Sequence, residues 1–314
     1  MILDIVCATY NGAEFVGDLL SSLRAQTHSD WRLWVHDDGS TDDTVSIVRS
    51  AAAADARIQP VDTGAPRLGA TGSFARLLDH LPADSSYTLF ADQDDVWLPH
   101  KIERTLAAMR EAESASSVPV MVHTDLVVTD AKLAKVHESF WSFAGIAPEP
   151  ATLRRLIVRN VATGAASMIN RPLRELVGRI PKEAILHDWW CACVAAAFGH
   201  IVAVREPTIL YRQHGSNLVG AREWDIAWSA LPRAVIRGLE KSSEVRRGIE
   251  LTAAQALAFL HIYESWLSEE DRRFLLAYSQ IPARGFLRRK LDLLRYRRLP
   301  EHNVLRTLGI LFRG

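Results

Sequence analysis

Three cysteines in 314 residues, Cys7, Cys191 and Cys193, are too few for a disulfide framework. Cys191-Ala-Cys193 also lacks the two-residue spacing of a zinc knuckle, so buried thiols and a reducing compartment are expected. Charge of either sign is not in excess: 37 Lys and Arg balance 37 Asp and Glu. That balance excludes capture of nucleic acid by the field of the whole chain, and no nucleic-acid partner is expected. Long apolar runs are missing too. The longest uninterrupted one, which contains Cys191–Phe198, falls far short of the roughly 20 residues of a spanning helix. The start, Met1-Ile2-Leu3-Asp4, has no basic lead and no long apolar core, so no signal peptide is expected. The expectation is a protein that is soluble or lies at a membrane surface. No G-x-G-x-x-G follows the first apolar run and no G-x-x-x-x-G-K-[ST] occurs, which removes the main support for dinucleotide and P-loop sites. Internal repeats of roughly 20–50 residues are absent, and solenoids with them. What remains, with 48% hydrophobic and 24% charged residues, is an ordinary globular composition.

The first part of the chain alternates between strand and helix signatures. Ile2–Ala8 is a β-rich run broken by Thr9-Tyr10-Asn11-Gly12, and Ala13–Gln26 carries Phe15, Val16, Leu19, Leu20 and Leu23 at helical spacing. Trp31–His36 reads as a second strand. Ser40 or Thr41 is placed to cap a helix through Val45, Ile47 and Val48. Arg57–Val61 is a weaker strand, Gly64–Gly72 a Gly/Pro loop, Phe74–Leu81 a helix and Tyr87–Ala91 a strand. A loop over Asp92–Asp95, a helix over Pro99–Ala112 and a strand over Val118–His123 complete the series. Strands separated by helices imply an α/β fold with a mostly parallel sheet covered on both faces. In such sheets ligands bind beyond the carboxyl ends of strands. Those ends are Thr9-Tyr10-Asn11, Asp37-Asp38, Asp92–Asp95 and His123-Thr124-Asp125, so the polar residues gather where a site is expected. Beyond about Arg222 the pattern turns helical, clearest over Ile249–Leu267. Residues 1–220 are thus expected to form one domain and 221–314 a helical extension.

Asp92-Gln93-Asp94-Asp95 is the sharpest chemical signal. Three carboxylates within four residues repel one another unless a cation sits between them. Oxygen ligands suit Mg²⁺ or Mn²⁺, and Mg²⁺ takes one or two protein carboxylates and fills its shell with phosphate and water. A metal-bridged diphosphate follows; the bland alternative is a solvated acidic turn. Asp37-Asp38-Gly39-Ser40-Thr41-Asp42 is the second signal. A carboxylate at a strand end can accept from a base N–H, and the glycine permits close approach; alone, the segment reads as a helix-capping turn.

Ala8-Thr9-Tyr10-Asn11-Gly12, Gln26-Thr27, Asp37–Asp42 and Asp92-Gln93-Asp94-Asp95-Val96-Trp97, in this order, resemble the family 2 glycosyltransferases of the GT-A fold. The resemblance spans about Ile2 to Asn217. Within it, His187-Asp188-Trp189-Trp190 and Tyr211-Arg212-Gln213-His214-Gly215-Ser216-Asn217 resemble the bacterial rhamnosyltransferase-like branch. The resemblance implies a Rossmann-like GT-A sheet and a nucleotide-sugar site made by Thr9, Tyr10, Asn11, Asp37, Asp38, Asp92, Asp94 and Arg212. Tyr10 would flank the base, Thr9 with Asp38 or Asp37 would contact it, and Arg212 would help neutralise phosphate. Asp94, Asp95 and His214 are the implied metal residues, with Mg²⁺ or Mn²⁺ as cofactor. Which of Asp92, Asp94 and Asp95 ligates directly is left open, since such clusters divide ribose, metal and metal-bound water between them. Asp188 matches the catalytic acidic position. It follows His187 where many relatives carry Glu, which leaves the base intact and changes its neighbour. Asn160, Thr163, Gly164 and Trp189 are implied on the acceptor side, while core packing is expected for Trp97, Trp141 and Trp190.

The implied chemistry is coherent. Sugar transfer passes through an oxocarbenium-like state while a nucleoside diphosphate leaves, and one carboxylate takes the proton of the acceptor hydroxyl. The implied reaction is an inverting transfer, with L-rhamnose from dTDP-rhamnose as the donor expected and a bacterial surface glycan, free or lipid-linked, as acceptor. The alternatives are a UDP-hexose donor or a non-catalytic nucleotide-sugar-binding subunit. The last 31 residues hold nine Lys and Arg against two Asp and Glu. That segment suits an anionic membrane surface at the inner face of the cytoplasmic membrane, or pairing with the acidic remainder of the chain.

Overall fold

The computed structural model describes residues 2–62, 67–114, 118–215 and 240–283. Ser216 and Asn217 of the late motif, and the basic segment from Arg284, lie outside the described residues. The described residues fall into two compact units, one reaching Ala151 and resuming at Asn160, the other made of Thr152–Arg159 and the C-terminal helices.

The first unit is built on one sheet. Its N-terminal half is parallel, in the order β3 (Ile58–Pro60), β2 (Trp31–Asp37), β1 (Leu3–Thr9), β4 (Tyr87–Asp92). Both faces of β1 are buried, and Leu3, Ile5 and Val6 are fully enclosed, as central parallel strands require. Beyond β4 the sheet becomes mixed. β8 (Ser167–Asn170) pairs antiparallel with both β4 and β6 (Val120–Thr129), and β6 runs parallel to β9 (His200–Arg212). The two-residue β5 (Val96–Trp97) pairs antiparallel with β9, and β7 (Lys135–His137) with β6. The β5–β9 pairing brings the end of β9, and so Arg212 and His214, to the acidic turn.

The helices follow the apolar spacing. α1 (Val16–Arg24) buries Val16, Leu19, Leu20 and Leu23, and its polar residues tie it to the stretch after the acidic turn. Trp97 N donates to Ser22 Oγ (3.1 Å), Gln26 Nε2 donates to the Leu98 carbonyl (2.9 Å), and Gln26 Oε1 accepts from Ile102 N (3.2 Å). α4 (Lys101–Glu113) begins two residues after the expected proline start.

Three expectations need correction. α2 (Thr44–Ala54) starts too late for a Ser40 or Thr41 cap; Asp42 accepts from Thr44 N (3.1 Å), while Ser40 and Thr41 bond Asp37 and Asn11. α3 (Gly69–His80) begins inside the expected Gly/Pro loop. Its first turn is held by Asp38 of the β2 end, a long-range partner that local sequence does not display. β6 runs on to Thr129, so His123, Thr124 and Asp125 are buried mid-strand residues and not a strand end. A register shift at Thr124/Asp125 breaks the alternation there and hides the continuation.

Further helices flank the sheet: α5 (Phe140–Phe143), α7 (Arg171–Val177) and α8 (His187–Phe198), the last buried on almost every side. In the second unit α6 (Leu153–Val158) packs with α9 (Glu240–Tyr263) and α10 (Glu269–Ser279). Phe259, Tyr263, Phe274 and Leu275 form its core, and Ser268 caps α10 by accepting from Asp271 N (3.1 Å). Among the described residues no helix is long and apolar enough to cross a membrane.

Candidate active site

The loop after β1 is welded to its neighbours through its own amides. Tyr10 N donates to Gln93 Oε1 (2.9 Å), Asn11 N to Ser40 Oγ (2.8 Å), Gly12 N to Thr44 Oγ1 (2.8 Å) and Ala13 N to Asp42 (3.0 Å). Four consecutive N–H groups are thereby engaged by side chains. With these amides engaged, the loop offers no P-loop-like cradle of free N–H groups. Asn11 sits at φ 45°, a left-handed position that asparagine tolerates, and its side chain accepts from Thr41 N (2.8 Å). Gly12 leaves room for the Gln93 amide: a Cβ there would lie 2.2 Å from Gln93 Oε1, so Gln93 would have to move. The Gln93 amide also donates to the Tyr10 carbonyl (3.0 Å), so one side chain fixes Tyr10 from both directions.

Thr9 Oγ1 donates to Asp37 (2.9 Å), whose carboxylate also accepts from Gly39 N, Ser40 N and Ser40 Oγ. Asp38 is 6% exposed and accepts from Leu68 N (2.6 Å) and Gly69 N (2.8 Å). Asp37 therefore shapes the turn with all of its lone-pair sites engaged, while Asp38 caps α3 and keeps further lone pairs. Tyr10 is exposed, and the Arg67 guanidinium lies 3.7 Å from its ring centroid and 3.8 Å from Asp38.

The acidic turn is held from β9. Arg212, 4% exposed, donates through its backbone N to Asp95 (3.2 Å), through Nε to the Asp94 carbonyl (2.9 Å), and through its two terminal nitrogens to the Ala131 carbonyl (2.7 Å) and Asp18 (2.6 Å). This structure thus places Arg212 as a clamp on the turn. Asp94 Oδ2 lies 2.8 Å from His214 Nε2, and the imidazole stacks on Phe15 at 4.6 Å between centroids. Asp92 is pushed up to about 8 by burial, then by the charges of Asp94 and Asp188. Asp95, wholly buried, is raised well above the carboxylate range by burial and by the same cluster. Three acids crowd this turn, and their mutual repulsion is what a cation relieves.

A divalent metal fits the residues present. Asp94 and His214 meet across a 2.8 Å hydrogen-bond contact, and the crowded carboxylates are the oxygen donors a hard cation takes. Among the described residues no three His, Cys, Asp or Glu side chains converge as metal ligands. One or two carboxylates with phosphate and water completing the shell is the ordinary Mg²⁺ arrangement. Asp95 is placed differently, enclosed behind the turn.

Asp188 stands in the first turn of α8. Its Oδ2 accepts from Gly164 N (2.7 Å) and its Oδ1 from Trp189 N (2.6 Å), with a further hydrogen bond from the Asn160 side chain. Burial raises it to about 6 and these donors hold it down. A Cβ on Gly164 would lie 3.3 Å from Asp188 Oδ2 and 3.1 Å from His187 Nε2, so the glycine eases this close approach. His187 stacks on Phe74 at 3.8 Å, and among the described residues neither ring nitrogen has a hydrogen-bond partner. Burial pushes its pKa down to about 3 and keeps it neutral. The orientation of Asp188 thus comes from Gly164, Trp189 and Asn160, without His187. Thr163 accepts from Ser167 Oγ through its carbonyl (2.7 Å). Trp189 is half-buried, whereas Trp97, Trp141 and Trp190 are core residues. Gln93, Arg67, Phe15 and Asp18 carry no site signal of their own in the sequence. Only Gln93 lay within a recognised motif; the others act across long sequence separations.

The chain is 27% identical over 222 residues to the dTDP-rhamnosyl transferase RfbG of Shigella flexneri, covering 68% of this chain and 73% of that protein. Other curated relatives match over 108–128 residues, less than half of their own length. Residues 1–349 of S. aureus TarS, solved with UDP-GlcNAc, superpose with a TM-score of 0.55 at 15% identity, covering 99% of this chain and 90% of that one. The mannosyltransferase PcManGT of Pyrobaculum calidifontis, solved with GDP-Man and Mn²⁺, gives 0.53 at 18% identity, covering 99% and 83%. These likenesses establish the GT-A fold. The sequence profile described as Glycosyl transferase family 2 matches residues 4–176, more than half of the chain and the stretch that carries both acidic motifs, and the chain belongs to that family.

Proposed function

We propose that this glycosyltransferase is metal-dependent and inverting, and that it moves L-rhamnose from dTDP-rhamnose to a hydroxyl of a growing bacterial surface glycan. The observation that carries the reading is Asp188: a buried carboxylate raised to about 6, held by two backbone donors, whose charge reaches Asp92 of the acidic turn. The likeness to RfbG supports the donor sugar. A UDP-hexose donor is the second reading, favoured by the likeness to TarS with UDP-GlcNAc. All the residues concerned lie within 1–220, read as the catalytic domain.

In this reading Tyr10 offers a face to the base, and Thr9, Asn11, Asp37 and Asp38 shape its recess. Asp92 lies toward the ribose. Asp94 and His214 would hold the Mg²⁺ or Mn²⁺, which would supply positive charge to the departing diphosphate. Arg212 keeps the turn in place and adds its own charge nearby. Asp188, ionised above about pH 6, accepts the proton of the acceptor hydroxyl as that oxygen attacks the anomeric carbon. Gly164 N and Trp189 N keep its oxygens aimed, and Asn160, Thr163 and Trp189 line the acceptor side. A single displacement from the face opposite the diphosphate inverts the anomeric centre. A thermal-shift screen of dTDP-rhamnose, UDP-sugars and GDP-sugars with and without Mn²⁺ tests the donor, because a ligand bound only by the folded state raises the melting point. The largest shift is expected with dTDP-rhamnose and Mn²⁺; a larger shift with a UDP-hexose overturns the rhamnose assignment. The basic segment from Arg284 is read as a peripheral contact with the inner face of the cytoplasmic membrane, where a lipid-linked acceptor would be met.

A further inference from the structure

α3 is fastened to the end of β2 at its start and to the start of α8 within the next two turns. Asp38 accepts from Leu68 N (2.6 Å) and Gly69 N (2.8 Å), so the start of α3 moves only with that carboxylate. Thr71 Oγ1 donates to the Ile185 carbonyl (3.2 Å), three residues before Asp188. Phe74, buried and three residues beyond Thr71 on the same face of α3, stacks on His187 at 3.8 Å with 23° between the ring planes. Phe90 of β4 completes the cluster, 4.9 Å from the His187 ring and 5.9 Å from Phe74. The N-cap of α8, Leu186, makes no side-chain cap, so the usual local hold on a helix start is missing there. Among the described residues neither ring nitrogen of His187 has a hydrogen-bond partner, and the ring acts through its faces.

We propose that α3 is a strut between the nucleotide carboxylate Asp38 and the base Asp188, with Thr71 and Phe74 as positioning residues that set where Asp188 meets the acceptor hydroxyl. The role rests on the reading of Asp188 as the base and of Asp38 as a nucleotide contact. Gly164 N, Trp189 N and Asn160 aim the carboxylate oxygens, and α3 places the stretch of backbone that carries them. Between Gly69 and Phe74 the attachments are separated by about 8 Å of hydrogen-bonded helix, a stiff span. The proton acceptor thereby keeps its distance from the nucleotide end of the site. A misplacement of about 1 Å in such a group costs up to about 10²-fold in rate. The strut also accounts for the ring at position 187: its contact with Phe74 needs a flat face and no ring nitrogen.

The test compares Thr71→Val, Thr71→Ser, His187→Ala, His187→Phe and Asp188→Asn in the full chain, below the melting temperature of every variant. Three quantities are read: turnover with the donor selected by the thermal-shift screen, calorimetric affinity for UDP or dTDP with Mn²⁺, and hydrogen exchange of residues 186–191. Thr71→Val and His187→Ala are expected to lower turnover by roughly tenfold and to speed exchange at the start of α8 by about fivefold, with affinity within about threefold of wild type. Thr71→Ser keeps the hydroxyl and His187→Phe keeps the flat ring, so both should stay within about threefold of wild type in all three. Where His187→Ala does not fold, Thr71→Val, which removes one hydroxyl, decides alone. Wild-type turnover and exchange in Thr71→Val overturn the proposal. So do lost turnover without faster exchange, and affinity lost in step with turnover. If Asp188→Asn turns over like wild type, the reading of the base fails by itself, and the exchange data still decide whether α3 fixes α8.

Discussion

Asp188 and His187 are chain neighbours with opposite environments, and their titrations separate them. Asp188 keeps three hydrogen-bond donors and is raised to about 6, so the ionised base is lost below that value. In this account log kcat/KM rises with pH at unit slope up to about 6 and then levels. A profile flat from pH 4.5 to 8 excludes Asp188 as the base. His187, stacked on Phe74 and pushed down to about 3, binds no proton when folded over a range where the unfolded chain does. The unfolded state then holds more protons, so this histidine's contribution to stability falls as pH drops from about 6.5 toward 3. His187→Phe removes that dependence and should gain on wild type by up to about 1.4 kcal/mol per pH unit over that range. Melting curves for both proteins from pH 7 to 4 check it; parallel curves contradict it.

The loops that build the site act by holding one another. Gln93 bonds both backbone polar groups of Tyr10, and Gly12 leaves room for it. Gly12→Ala should displace the Gln93 amide and free Tyr10, weakening donor binding by about tenfold, roughly the loss of one or two hydrogen bonds. Calorimetry with the nucleoside diphosphate measures this; unchanged affinity removes Gln93 from the recess. Asp38 caps α3 across a separation of about thirty residues, so Asp38→Ala should cost about 1–2 kcal/mol in denaturant unfolding. These long-range holds mark the limit of what could be read from sequence. The apolar spacing of α1, the β-rich runs of β1, β2 and β4, and the acidic turns were all legible because periodicity and composition are local. The start of α3, the continuation of β6 past its register shift and the Arg212 clamp were not, because each depends on a partner far along the chain. Residue types located the acids, and only packing distinguished the enclosed Asp95 from its neighbours.

Balanced charge over the whole chain hides an unequal distribution. The last 31 residues carry a formal +7 and the remainder −7. An acidic body suits a site made of carboxylates that needs a cation before it can hold a diphosphate. The basic end, with Leu, Phe and Tyr among its cations, suits an anionic lipid surface. Flotation with vesicles containing phosphatidylglycerol should retain the full chain and lose it when residues 284–314 are removed. Equal flotation of both forms contradicts the membrane contact. The account as a whole turns on Asp188 as the base of an inverting transfer. Its most direct test is turnover of Asp188→Asn beside wild type with the matched donor, read together with nucleoside diphosphate affinity. The account predicts affinity within about threefold and turnover lower by at least about 10²-fold. A folded variant that turns over within about tenfold of wild type contradicts it.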